Sequence, residues 1–290
     1  MNEIHLYKSN HPDPGAQTRY EHLVGLETQK DEVIEYLLRV FDPGRLSRWL
    51  AKHHRRGLAL AKRIEHRPPL VILGGDVGCG KTALATSIAT PVAKIIDKQV
   101  VVLETPSDIR GGGLVGQLSE RVTAAFQQAR VDVGQHCGVL IIDEADDLGA
   151  SRAQMQAHHE DRAGLNVLIK EIDRLARDPG RIAVILITNR LKALDPALVR
   201  RAQTIHFVRP DAEARRSLFA QLLHDVPHDE NDLTSLVHAS NRKPLFSYSD
   251  LVERGVEATL MRCVRENTPF SVAALRAILD TLEPSPEIED

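Results

Sequence analysis

Gly75-Asp76-Val77-Gly78-Cys79-Gly80-Lys81-Thr82 decides the fold of this chain. The octet has the form G-x-x-x-x-G-K-[ST]. It follows the apolar run Leu70-Val71-Ile72-Leu73 and leads into an alanine-rich segment, Ala83 to Ala93. Strand, glycine loop and helix, in that order, is the context in which such an octet binds phosphate. The glycines let backbone N–H groups wrap around phosphate oxygens, and the helix N-terminus adds partial positive charge. Asp76, Val77, Gly78, Cys79, Gly80, Lys81 and Thr82 are therefore expected nucleotide contacts, with Leu84 one turn further on. Lys81 is expected to reach the β- and γ-phosphates, and Thr82 to place its hydroxyl on Mg²⁺, so ATP and Mg²⁺ are the expected cofactors.

A second motif supports the first. Val139-Leu140-Ile141-Ile142-Asp143-Glu144 is a continuous apolar run ending in two acids. Such a run suits a strand buried on both faces of a parallel sheet, and open α/β sheets bind ligands at the carboxyl ends of their strands. Asp143 is expected to hold Mg²⁺ together with Thr82, and Glu144 to orient and activate the attacking water.

Composition narrows the class. The chain has 290 residues, 42% hydrophobic but only 4% aromatic, as expected of an Ala/Leu/Val-rich α/β protein. A net charge of −3 gives no general attraction to nucleic acid or to anionic membrane. Cys79, Cys137 and Cys263 are odd in number and widely spaced, which argues for reduced thiols in a cytoplasm and against a disulfide framework. No basic region followed by an apolar stretch opens the sequence, and no apolar run approaches a membrane span, so neither secretion nor a membrane partner is expected.

Along the chain, residues 1–19 are polar and read as an irregular N-terminal arm. Residues 28–41 read as a helix with Val33, Leu37 and Phe41 on one stripe. Residues 45–67 are basic. Strands are expected over residues 99–103, 139–142, 182–188 and 204–208, with a helix over 114–130 and another carrying Leu165, Leu168 and Ile172. Strands alternating with helices imply a parallel sheet, here over residues 20–209. From Pro210 to Leu282 only helices are read, including one opened by a capping box at Ser247 and Asp250. The expected architecture is a parallel-sheet phosphate-loop domain followed by a small all-helical lid (210–282) and a disordered acidic tail (283–290).

With these elements in place, residues 20–282 resemble the AAA+ ATPases. Tyr20-Glu21-His22-Leu23-Val24-Gly25-Leu26 looks like the entry segment that lies against adenine, which would make Val24 and Gly25 nucleotide contacts. Thr188-Asn189 looks like sensor-1, whose polar side chain holds the lytic water. Leu194-Asp195-Pro196-Ala197-Leu198-Val199-Arg200-Arg201 looks like the segment carrying the arginine finger. A finger acts on a neighbouring subunit's nucleotide, so the resemblance implies a homo-oligomeric ring, most often a homo-hexamer. Arg200 and Arg201 are both candidates. In the lid, Ser249 takes the position of sensor-2, where many members carry arginine; Arg242 upstream is the alternative.

Within that family the chain resembles the pachytene-checkpoint ATPases that remodel HORMA-domain proteins. The resemblance rests on the long basic insertion before the phosphate loop, on Asp143-Glu144-Ala145-Asp146-Asp147-Leu148, and on the R-R-A form of Arg200-Arg201-Ala202. It implies a minimal bacterial version, of a kind found beside HORMA proteins in anti-phage nucleotide-signalling systems. Its substrate grip would come from the glycine-flanked Leu114 and Val115 in a first pore loop. The rival class is a nucleic-acid motor or loader. Its support is the basic stretch alone, with no helix-turn-helix or zinc pattern, so nucleic acid is not the expected partner.

Overall fold

The computed structural model describes residues 4–54, 57–59, 61, 67–106, 117–148, 159–177 and 181–288. Six strands form one sheet: β1 (Tyr7–His11), β2 (Leu70–Gly75), β3 (Val100–Glu104), β4 (Cys137–Ile142), β5 (Ile182–Thr188) and β6 (Gln203–Phe207), in the order β1-β3-β4-β5-β2-β6. All neighbours are parallel except β1, which pairs antiparallel with β3. Every residue of β4 and of β5 is buried, as their uninterrupted apolar sequence requires of strands covered on both faces.

The alternation of side chains divides the core into two layers. On one face, Leu70, Ile72, Leu140, Ile142, Val184 and Leu186 pack against Val122 and Phe126 of helix Gln117–Val133 and Leu168 and Ile172 of helix His159–Leu175. On the other, Val71, Leu73, Val139, Ile141 and Ile185 meet Val33, Leu37 and Phe41 of helix Glu27–Phe41 and Ile88 and Val92 after the phosphate loop. Burying each such side chain stabilises the fold by roughly 1.5–3 kcal/mol before entropy is counted.

After β6 the chain is helical. Helices Ala212–Leu222, Glu230–Ala239, Asp250–Glu257 (wound as a wide π-turn) continuing into Ala258–Glu266, and Val272–Leu279 close a separate apolar cluster that includes Phe219, Leu236, Phe246, Leu251 and Leu275. The helix Glu230–Ala239 was not among the sequence expectations. A reciprocal capping box between Asp229 and Asp232 starts it. Among the described residues no helix is long and apolar enough to cross a membrane.

Two sequence expectations are corrected. From residue 4 to residue 19 the arm is not irregular. Ile4 and Leu6 are buried, β1 follows, and Asp13 caps helix Pro14–Glu21 by accepting from Ala16 N at 2.6 Å. His11, 2% exposed, bonds Thr90 Oγ1 at 2.7 Å, which ties the arm to the helix behind the phosphate loop. Polar Lys8, Ser9 and Asn10 hide the strand from any hydrophobic pattern, because an edge strand needs no apolar outer face. The tail is not free either: residues 283–288 dock at the junction of sheet and lid. Polar contacts hold them there, from Asp250 to Ser285, from Arg209 to Ser285 and Pro286, and from Ile288 to Asp76.

Candidate nucleotide site

The register of the sheet brings the motifs together. Gly74 pairs with Thr188, Gly75 with Phe207, and Glu104 with Ile141, so the carboxyl ends of β2 to β6 lie along one rim. The phosphate loop crosses that rim. Gly75 turns away from β2 at φ 143°, and a Cβ there would stand 1.9 Å from the Phe207 carbonyl oxygen. Only glycine allows the loop to leave the sheet at this point. Helix Lys81–Ser87 then starts from Gly80.

A cavity of about 790 Å³ lies over this rim, between sheet and lid. Val77, Gly78, Cys79, Gly80, Lys81 and Thr82 floor it, with Asp143, Glu144 and Asn189 on the strand-end side and Ser249 on the lid side. A larger groove of about 910 Å³, lined by Tyr36, Trp49, Leu175 and Ile182 among others, contains none of the motif residues. Chemistry therefore points to the cavity at the strand ends.

Lys81 is 5% exposed, and its ammonium donates to the carbonyls of Gly75 at 2.7 Å and Asp76 at 2.6 Å. Burial lowers its pKa, with only partial compensation from Cys79, Asp143, Asp76 and Asp146. It makes no ion pair among the described residues, so a buried cation faces the cavity with neutral acceptors alone, which suits an anionic ligand. Thr82 Oγ1 donates to Asp143 Oδ2 at 2.8 Å. A hydroxyl and a carboxylate at this spacing are the hard oxygen donors that Mg²⁺ takes, its remaining positions going to phosphate and water. No group of three or more His, Cys, Asp or Glu that could cage a metal occurs among the described residues.

Asp143 Oδ1 accepts from Glu144 N at 2.8 Å, and Glu144 holds the left-handed conformation at φ 52°. Few non-glycine residues adopt it, and such strain collects at functional sites. Thr188 Oγ1 donates to Asp146 at 2.9 Å and accepts from Arg190 N, fixing the turn that carries Asn189. The Cys79 thiol is buried, and burial pushes it up to about 11.

The lid reaches the loop directly. Ser249 N donates to Gly78 O at 3.1 Å. A Cβ on Gly78 would lie 2.8 Å from Ser247 Oγ and 2.9 Å from Ser249 Cβ, so a larger residue would push the lid off. The capping box read from the sequence is present: Asp250 N donates to Ser247 Oγ at 3.1 Å, and Ser247 N to Asp250 Oδ2 at 3.0 Å. Tyr248 Oη donates to Gly25 O at 3.2 Å, joining the lid to the entry segment.

Other expectations land elsewhere. Leu84 is wholly buried in the core beneath the loop and offers no side chain to the cavity. His22 and Leu23 line the cavity in place of Val24 and Gly25. The Asp76 carboxylate holds Arg209 and Val77 N instead of facing the cavity. Arg242 donates to the carbonyls of Leu282 and Asp280 and does not line the cavity. Arg201 is committed to Asp173 at 3.2 Å and to Ala197 O at 3.1 Å, whereas the Arg200 side chain is exposed with no hydrogen bond or ion pair among the described residues. Leu114 and Val115 lie outside the described residues.

Sequence reasoning missed Glu104, Tyr7, Tyr248 and Glu253 as cavity residues. Glu104 ends β3, and the strand-end rule applied to that run would have found it; burial, and then Asp143, raise its carboxyl. Tyr7 had no such signal, because β1 itself was hidden.

Comparison with known proteins agrees with this geometry. The profile of the "ATPase family associated with various cellular activities (AAA)" matches residues 71–210. CD-NTase-associated protein 6 of Escherichia coli (strain MS 115-1) is 35% identical over 304 residues, covering 100% of this chain and 97% of that protein. A chain of the solved E. coli MS115-1 HORMA:CdnC:Trip13 complex superposes with a TM-score of 0.91 at 34% identity, covering 98% of both chains. The solved Rhizobiales Trip13 gives 0.75 at 31% identity, covering 97% of this chain and 98% of that one. A nucleotide site at the strand ends, the matching profile and full-length relatives make one conclusion: this chain is an ATP hydrolase of the AAA ATPase family, and within that family it belongs with CD-NTase-associated protein 6.

Proposed function

We propose that this protein forms a homo-hexameric ring that couples ATP hydrolysis to remodelling or disassembly of a HORMA-domain protein complex, in the cytoplasm, as part of an anti-phage signalling system. The observation that carries the reading is the convergence of Lys81, Thr82, Asp143, Glu144 and Asn189 on one cavity roofed by Ser249. It is supported by the likeness to a protein solved in a HORMA:CdnC:Trip13 complex.

In this reading Lys81 and the loop amides hold the phosphates. Thr82 and Asp143 hold Mg²⁺, which when bound neutralises charge on the transferring phosphoryl group. Glu144 takes the proton of the attacking water, and Asn189 orients that water. Arg200 of one subunit completes the site of the next, since Arg201 is already engaged by Asp173. Such a guanidinium acts by stabilising charge that develops in the transition state. The basic insertion supports the nucleic-acid reading poorly: Arg45 pairs with Glu35 at 3.0 Å, and Arg48 pairs with Asp42, on the same surface.

The test is ATP turnover and complex disassembly with a HORMA-domain partner, against turnover with DNA or RNA. The proposal expects the HORMA partner to stimulate hydrolysis and to be released from its complex, and Leu114→Ala/Val115→Ala to abolish release while sparing basal turnover. Steeply salt-dependent stimulation by nucleic acid alone would overturn it.

A further inference from the structure

Arg209 follows β6, where the sheet ends and the helical region begins. Its side chain is 4% exposed, and it pairs with Asp76 of the phosphate loop, Nε to Oδ2 at 2.5 Å. The same guanidinium donates to Leu245 O at the start of the lid segment, to Ser285 O at 2.8 Å and to Pro286 O at 2.9 Å. Asp76 in turn accepts Ile288 N at 3.3 Å and its neighbour Val77 N at 2.8 Å, while its carbonyl accepts Lys81. Asp250, 2% exposed in the lid, closes the circuit by accepting Ser285 Oγ at 2.7 Å and Ser285 N at 3.1 Å. One extended segment, Glu283–Ile288, thus touches the phosphate loop, the interdomain arginine and the lid.

A buried ion pair costs desolvation that hydrophobic packing would avoid, so its stability value alone explains little. Here the arginine is satisfied only when three separate segments are in place. Loss of the strap leaves buried donors unpaired, and that penalty falls on the group holding the phosphate loop.

Building on the nucleotide site proposed above, we propose that Arg209 is a positioning residue for nucleotide binding, acting through Asp76, and that segment Glu283–Ile288 holds it there, so that release of the segment speeds nucleotide release. Docked, the strap fixes Arg209 and with it the loop that carries Val77 and Lys81. Undocked, the loop and lid separate more readily and the nucleotide leaves.

The experiment uses the full chain and a fluorescent ADP analogue, whose dissociation is followed by stopped flow, together with KM and kcat for ATP and the melting temperature. Ser285→Asp sets a second carboxylate against Asp250. It should speed ADP release by about tenfold, the scale of one lost charge-assisted hydrogen bond, and raise KM with kcat retained. Lowering the pH from about 7 to about 5 should reverse the effect relative to wild type, as the added carboxyl takes up a proton beside its neighbour. Ser285→Ala should shift release in the same direction, and Ser285→Thr, which keeps the hydroxyl, should release ADP at close to the wild-type rate. Wild-type release in Ser285→Asp overturns the proposal, and so does a lowered melting temperature with release unchanged. Lys81→Ala separates the two readings: if it binds the analogue like wild type, the nucleotide site itself is misassigned, whatever Ser285 does.

Discussion

The phosphate-loop rim and the lid face the same cavity but are held in place by different forces. The rim is fixed by its own strands. β2, β4 and β5 are buried along nearly their whole length, and Gly75, Asp143 and Asn189 sit where those strands stop. The lid has its own core and, apart from Tyr248, which also packs on the apolar cluster of the sheet, meets the rim through polar contacts: Ser249 with Gly78, Tyr248 with Gly25, and the Arg209 cluster. A site built on a packed sheet keeps its geometry through a reaction cycle. One held by single hydrogen bonds, each worth about 0.5–1.5 kcal/mol net, can open. The difference teaches where to look for chemistry and where to look for control.

The largest expected effect breaks the rim from outside. If Arg200 completes a neighbour's site, Arg200→Ala should lower kcat by about 10³-fold or more. Arg201→Ala should lose its half-exposed ion pair with Asp173, worth about 0–1 kcal/mol, and its hydrogen bond to Ala197 O, and leave turnover near wild type. Steady-state turnover of both variants checks the distinction. Mixing Arg200→Ala with Lys81→Ala subunits should restore some activity, and specific activity should rise with protein concentration as rings form.

Next comes Lys81. Lys81→Ala removes the buried ammonium, and ATP affinity should fall by about two orders of magnitude or more, since hydrogen bonds to charged groups contribute about 1.5–3 kcal/mol each. Equilibrium titration with ATP measures this directly.

A smaller effect sharpens the lid side. Burial alone would raise the Asp250 carboxyl, but hydrogen bonds from Ser285 and Ser247, with Arg254, outweigh it and hold it below its ordinary value. A carboxyl depressed on folding stabilises the fold above its unfolded pKa and loses that contribution as pH falls through its folded pKa. The melting temperature of wild type should therefore decline more than that of Asp250→Asn between about pH 5 and about pH 2. Parallel curves would remove Asp250 from the account.

The same division explains what could be read in the sequence. Val139-Leu140-Ile141-Ile142 and Ile182 to Thr188 announce buried strands because both faces of a central strand must be apolar. The acids at the end of β4 follow from the strand-end rule, and Asn189 from the resemblance to the AAA+ ATPases. The glycine loop carries its own signature, and the Ser247–Asp250 box is local in sequence. What stayed hidden depends on contacts between distant segments or on strands with a wet face. β1 shows one apolar residue in Tyr7-Lys8-Ser9-Asn10-His11 and is held through its register with β3. Residues 283–288 look like a solvated tail until Arg209 and Asp250, far away in sequence, are seen to bind them. Arg200 and Arg201 are indistinguishable as letters, and only Asp173 separates them. Leu84 follows the loop at a helical spacing that points it into the core.

The most direct test of the division between rim and lid compares two conservative substitutions in one experiment, measuring ATP affinity and turnover for each. Glu144→Gln keeps the shape of the rim but cannot accept a proton. It should bind ATP like wild type and lose about 10²–10⁴-fold in kcat. Tyr248→Phe keeps the lid's packing but loses the hydrogen bond to Gly25. It should keep kcat and weaken ATP binding by about 0.5–1.5 kcal/mol. Wild-type turnover in Glu144→Gln, or a loss confined to kcat in Tyr248→Phe, would contradict the account.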